Sequence, residues 1–78
     1  MNTSEFFDPK EVAQEAAKAY MNGNKKYEAI DPSESCYISI ELTDYSVFLT
    51  AYDRNTGLTC QDESEFEEAV EDTYIQLI

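Results

Sequence analysis

The sequence predicts an α+β domain of two layers, a three-stranded antiparallel β-meander with two helices on one face, in the order α-β-β-β-α. Three observations lead there. An Ala-rich segment with helical spacing opens the chain, two stretches of alternating apolar and polar residues occupy its middle, and a second helical stripe closes it. Residues 1–78 suit a single small acidic domain with one modest core.

The first helix is expected over about residues 9 to 22. Asp8 is a good N-cap, Pro9 suits the first helical position, Glu11 completes a capping box, and Phe7 can staple onto Val12. Val12, Ala13, Ala16, Ala17 and Tyr20 form its buried stripe, and Gly23 stands where a left-handed C-terminal residue belongs. Residues 24–35 read as a connection, with Tyr27 and Ile30 tucked against the core.

Cys36, Ile38, Ile40 and Leu42 alternate with Tyr37, Ser39, Glu41 and Thr43, which is the pattern of a half-buried strand. Tyr45 to Tyr52 is the second strand, joined to the first by a tight turn at Asp44-Tyr45. Pairing Thr43 with Ser46 sets Leu42 opposite Val47, Ile40 opposite Leu49 and Ile38 opposite Ala51, all on one apolar face. Tyr37, Ser39, Glu41, Phe48, Thr50 and Tyr52 fall on the other face, with Tyr37 opposite Tyr52. A turn at 53–57 leads to a third short strand at about 57 to 61, which would bury Leu58 and Cys60 beside Ala51. The second strand then separates Cys36 from Cys60 by two strand spacings, roughly 9.5 Å, too far for a disulfide. Asp62 is the expected cap of the last helix, with Glu65 in the capping-box position and Phe66, Ala69, Val70, Thr73 and Leu77 facing the sheet.

Composition narrows function. Seventeen acids against five bases give a net charge of −12, with no His. Such a chain is repelled by nucleic acid and by anionic membranes and attracted to basic protein surfaces. The N-terminus has no secretory signal and no run approaches the ~20 apolar residues of a membrane span, so a cytoplasmic location is expected. Without His, Ser-His and Cys-His nucleophiles are impossible within the chain, and two glycines make no phosphate loop. Asp53, Asn55 and Gly57 look like the start of a calcium loop, but Leu58 and Ser64 occupy the positions that need Gly and Glu, and a hairpin turn explains them better. We expect no enzyme activity, no cofactor and no metal.

Two surfaces remain as candidate partner sites. The last helix carries Glu63, Glu65, Glu67, Glu68, Glu71 and Asp72 without a base. Acids in its first turn suit the helix dipole, but Glu67 and Glu71 are like charges at i, i+4, a mildly destabilising pair. Carboxylates about 6 Å apart along the axis could take the place of phosphates that advance roughly 3.4 Å per nucleotide. Glu63, Glu67, Glu68, Glu71 and Asp72, joined by Glu11 and Glu15, are therefore candidate contacts to a basic nucleic-acid-binding protein. A solvated acidic face that only aids solubility is the competing explanation. Tyr37, Glu41 and Tyr52, on the open sheet face, are candidate contacts for an ordinary interaction module, unless Phe6-Phe7 or Tyr27 covers them. The oligomeric state is left open.

In length, charge, short α/β layout and lack of catalytic residues the chain resembles the small acidic inhibitors encoded by bacteriophages, especially anti-CRISPR proteins. Its opening, Asn2-Thr3-Ser4-Glu5-Phe6-Phe7-Asp8-Pro9-Lys10, looks like that of a type I-C anti-CRISPR. The resemblance implies binding to a CRISPR surveillance complex, with the opening residues pointing to a type I effector complex; some acidic members of such families act as DNA mimics at the site that reads the short motif beside the target. These families share no diagnostic motif, so no individual residue role carries over.

Overall fold

A computed structural model describes residues 3–59, 61 and 63–77. A short 3-10 turn, Thr3–Glu5, precedes α1 (Pro9–Met21), β1 (Lys26–Ile30), β2 (Cys36–Leu42), β3 (Val47–Asp53) and α2 (Glu63–Leu77). The order is α-β-β-β-α, and the strands form one antiparallel sheet in the order β1-β2-β3. The expected fold class is the observed one.

α1 begins as its sequence dictates. The Asp8 side chain accepts the Lys10 N–H at 3.0 Å, and Pro9 occupies a position whose N–H has no helical partner. The helix ends where Gly23 adopts φ +93°, with the Gly23 and Asn24 N–H groups returned to the Tyr20 and Ala19 carbonyls. Val12, Ala13, Ala16 and Ala17 are buried, and the small alanines let the helix lie close against its neighbours.

The β2–β3 register is the expected one, with Leu42 opposite Val47, Ile40 opposite Leu49, Ile38 opposite Ala51 and Tyr37 opposite Tyr52. Thr43 closes the hairpin. Its N–H donates to the Ser46 carbonyl at 2.9 Å, and its Oγ1 accepts the Ser46 N–H at 3.0 Å.

Three details differ from the sequence reading. The segment read as a connection contains β1, which pairs with β2 from Lys26 opposite Glu41 to Ile30 opposite Tyr37. Residues 57–61 supply no strand among the described residues: Thr59 bridges to Tyr52, and the Gln61 carbonyl accepts the Thr3 N–H at 3.0 Å. The turn bonds, Gly57 N–H to the Asp53 carbonyl at 2.7 Å and Asp53 N–H to the Leu58 carbonyl at 2.7 Å, hold the chain beside β3 as far as Thr59, and at Gln61 it is bonded to Thr3 instead. Consequently β2, not β3, is the central strand, and Leu58 is 68% exposed rather than buried. Ile30 is also exposed, because its place in β1 turns it to the outer face; Tyr27 does pack on the core. The readings of Cys60 as a buried thiol and of Asp62 as a helix cap fall outside the described residues.

Central placement accounts for the core. Cys36, Ile38, Ile40 and Leu42 are no more than 2% exposed, packed under Phe66, Val70 and Tyr74 of α2 and Val12, Ala13 and Ala16 of α1. Burying each of the larger side chains stabilises by about 1.5–3 kcal/mol. Phe7 meets Phe66 edge-on near the start of both helices, and Tyr20 meets Tyr74 edge-on further along, so the helices run in the same direction. Tyr74, absent from the predicted stripe, donates its hydroxyl to the Thr43 carbonyl and ties α2 to the hairpin. Among the described residues, no helix is long and apolar enough to cross a membrane.

Candidate functional site

The acidic helix has a clear inner and outer side. Phe66, Val70 and Tyr74, at i, i+4 and i+8, are buried, and Ala69, Thr73 and Leu77 are half-buried beside them. Six acids share what is left with Ser64, Gln76 and Ile75, the last of which is 66% exposed. At about 100° per residue they span roughly 200° of arc, from Glu63 on one flank through Glu67, Glu71 and Glu68 to Asp72 and Glu65 on the other. Glu65, Glu67, Glu68, Glu71 and Asp72 are exposed and Glu63 is half-buried.

The two flanks differ in their surroundings. Glu65, Glu68 and Asp72 line a shallow groove toward α1, where Lys10 lies among them. On the opposite flank Glu63 stands near Glu67. Burial first, and then the Glu67 charge, raises the Glu63 carboxyl above its ordinary value. The ion pairs among the described residues are Lys18 with Glu15, at 3.8 Å, and Lys26 with Glu28, at 3.3 Å. Neither involves α2, so among the described residues no base is ion-paired with its carboxylates, and Lys10 is the one base in the groove beside them.

Glu11 and Glu15 do not join this surface. They are exposed on α1 and line a cleft beside Tyr27 of β1. There the Tyr27 phenol is raised above its usual value, by burial first and then by the charges of Glu15 and Glu11.

Tyr37, Glu41 and Tyr52 lie on the sheet face that points away from both helices. Tyr37 and Tyr52 sit opposite each other with ring centroids 4.8 Å apart. Phe48 is 59% exposed beside Glu41. Phe6, Phe7 and Tyr27 pack against the core instead, so none of them covers this face. β1 adds Lys26, Glu28 and Ile30 to it, residues that the sequence reading missed along with the strand. The Glu28 carboxylate is lowered, first by its hydrogen bond from the Tyr37 hydroxyl and then by Lys26. The same bond, after burial, raises the Tyr37 phenol.

The predicted residues therefore divide among three surfaces: the α2 acids, the α1–β1 cleft with Glu11 and Glu15, and the outer sheet face. Among the described residues no group of His, Cys, Asp or Glu is gathered as a metal site. Against family models, curated proteins and solved structures, the chain finds no match.

Proposed function

We propose that this chain is a stoichiometric inhibitor that binds a basic nucleic-acid-binding protein and fills its phosphate-holding site with the carboxylates of α2. The resemblance noted above makes a type I CRISPR effector complex, in the cytoplasm of a bacterial host, the partner to test first. The mechanism is occlusion, with no chemical step, no cofactor and no metal.

The observation that carries this reading is the outer half of α2, with six acids, no base and no paired cation. Stability alone does not ask for it. Glu67 and Glu71 are like charges one turn apart, and each such pair costs a few tenths of a kcal/mol. A basic groove recovers that cost on binding, because each carboxylate takes the place of a phosphate there and long-range attraction speeds the encounter.

The test is binding of a purified type I effector complex to the wild-type chain and to Glu67→Lys with Glu71→Lys, at low and high salt and with competing DNA. The wild type should bind, and both salt and DNA should weaken the complex. The double variant should lose at least about tenfold, or 1.4 kcal/mol, while keeping its circular-dichroism spectrum. A folded double variant that binds as well as the wild type ends this reading.

A second reading rests on the exposed Phe48 and the Tyr37–Tyr52 pair. If the outer sheet face is the interface and acidity serves solubility, Tyr37→Ala and Tyr52→Ala should weaken binding more than charge reversal, with little effect of salt.

A further inference from the structure

β1 is an edge strand. Its ladder to β2 determines which backbone groups are already bonded. The Lys25 carbonyl accepts the Leu42 N–H at 2.8 Å, and the Asp31 N–H donates to the Cys36 carbonyl at 3.1 Å. Antiparallel pairs alternate, so Lys25, Tyr27, Ala29 and Asp31 direct their backbone groups to β2. Lys26, Glu28 and Ile30 direct theirs to the open edge, which leaves a template for one more strand. At the far edge Leu58 and Thr59 cover the end of β3, at Tyr52 and Asp53.

Beside that open edge, on the core side of β1, is a cleft of about 250 Å³ between the strand and α1. Phe7, Tyr27 and Ala29 give it an apolar floor, and Asp8, Glu11 and Glu15 stand around it. Lys18 offsets Glu15 in part, at 3.8 Å and in solvent. A strand added along β1 would place every second side chain beside Tyr27 and Ala29, over the cleft. An apolar side chain there would cover the floor, and a Lys or Arg would reach the carboxylates. A second copy of β1 fits poorly, because it would bring two sets of Glu11 and Glu15 together.

We infer that the open edge of β1 and the acidic cleft beside it form a docking site for an extended segment of a partner protein, with apolar and basic side chains toward the cleft. The segment adds as a fourth strand, held by the backbone groups of Lys26, Glu28 and Ile30 and oriented by Glu11 and Glu15. This site is separate from α2 and its test involves no nucleic-acid-binding protein.

The test is an NMR titration of the whole chain with a synthetic peptide of alternating valine and arginine, with an alternating valine–glutamate peptide as control. The Val–Arg peptide should shift the amides of Lys26, Glu28 and Ile30 and slow their hydrogen exchange at least tenfold. Glu28→Pro, which removes an N–H that faces the open edge and leaves the β2 ladder bonded, should abolish the effect. Glu11→Gln with Glu15→Gln should weaken binding at least fivefold, and this pair decides the matter if the proline variant does not fold. The inference is overturned by shifts that map to α2 or to the Tyr37–Tyr52 face, by equal binding of the valine–glutamate peptide, by no shift at millimolar peptide, or by unchanged affinity in the carboxamide pair.

Discussion

Glu34 adopts φ +62°, alone among the described residues other than glycine in having positive φ. It sits in the loop between β1 and β2, where the chain must turn within residues 31–35. A left-handed conformation costs a residue with a Cβ roughly 1–2 kcal/mol, while glycine there loses part of that gain to unfolded-state entropy. Glu34→Gly should therefore raise stability by about 0.5–1 kcal/mol, measured by urea unfolding; a loss of stability would show that the Glu34 side chain contributes more than its backbone costs. Its neighbour Asp31 holds the same loop from inside. Asp31 is 2% exposed and accepts the Cys36 N–H at 2.8 Å and the Ser33 hydroxyl. Burial pushes its pKa up, but the hydrogen bonds from Ser33, Cys36 and Ser35 outweigh burial and leave the carboxyl below its usual value.

At the scale of elements, α2 is the piece with conflicting demands. Its inner side supplies Phe66 and Val70 to the core, and its outer side repels itself. Tyr74 fixes the helix to the hairpin through the Thr43 carbonyl, next to the edge-on contact with Tyr20. Tyr74→Phe keeps the ring and removes the bond, so it should cost about 1 kcal/mol in a denaturant titration, with the greatest loss of amide protection at the hairpin and the C-terminal turn of α2. An unchanged midpoint would mean that water serves the Thr43 carbonyl equally well.

At the scale of the molecule, the net charge of −12 governs the response to salt and pH. Two titrating groups act in opposite directions. Glu63 is raised, so the stability linked to it is present below the ordinary glutamate pKa and is lost as pH rises through its raised value. Asp31 is lowered, so its contribution is present above the ordinary aspartate pKa and is lost as pH falls through its depressed value. Partial neutralisation of the surface carboxylates on acidification also relieves self-repulsion. Thermal unfolding should therefore show a stability maximum in mild acid, between about pH 4 and 5, and a rise in melting temperature with salt at pH 7. A melting temperature that falls steadily from pH 7 downward would rule out both effects as the dominant ones. Salt should thus strengthen the fold while weakening any complex formed through α2, two effects of opposite sign from the same surface charge.

Local rules made much of this protein legible from its sequence. Asp8-Pro9 and Gly23 bound α1 because capping and left-handed geometry depend on a few adjacent residues. The β2–β3 register followed from alternation, since a slip by one would have turned Ile38 and Ile40 to solvent. The run of acids on α2 needed only helical periodicity. Other features were decided by tertiary structure. β1 was hidden because an edge strand needs only one packed face: Tyr27 and Ala29 turn inward, Lys26, Glu28 and Ile30 outward, and Lys25 and Pro32 flank it as loop residues would. Residues 57–61 had the pattern of a strand, but past Thr59 the chain leaves β3 and Gln61 is bonded to Thr3, far away in the sequence. Which strand is central, and hence that Glu11 and Glu15 look onto an open edge rather than joining the α2 acids, depends on long-range pairing. No window of adjacent residues contains that information, because the competing arrangements share the same local patterns and differ only in which distant segment completes the core.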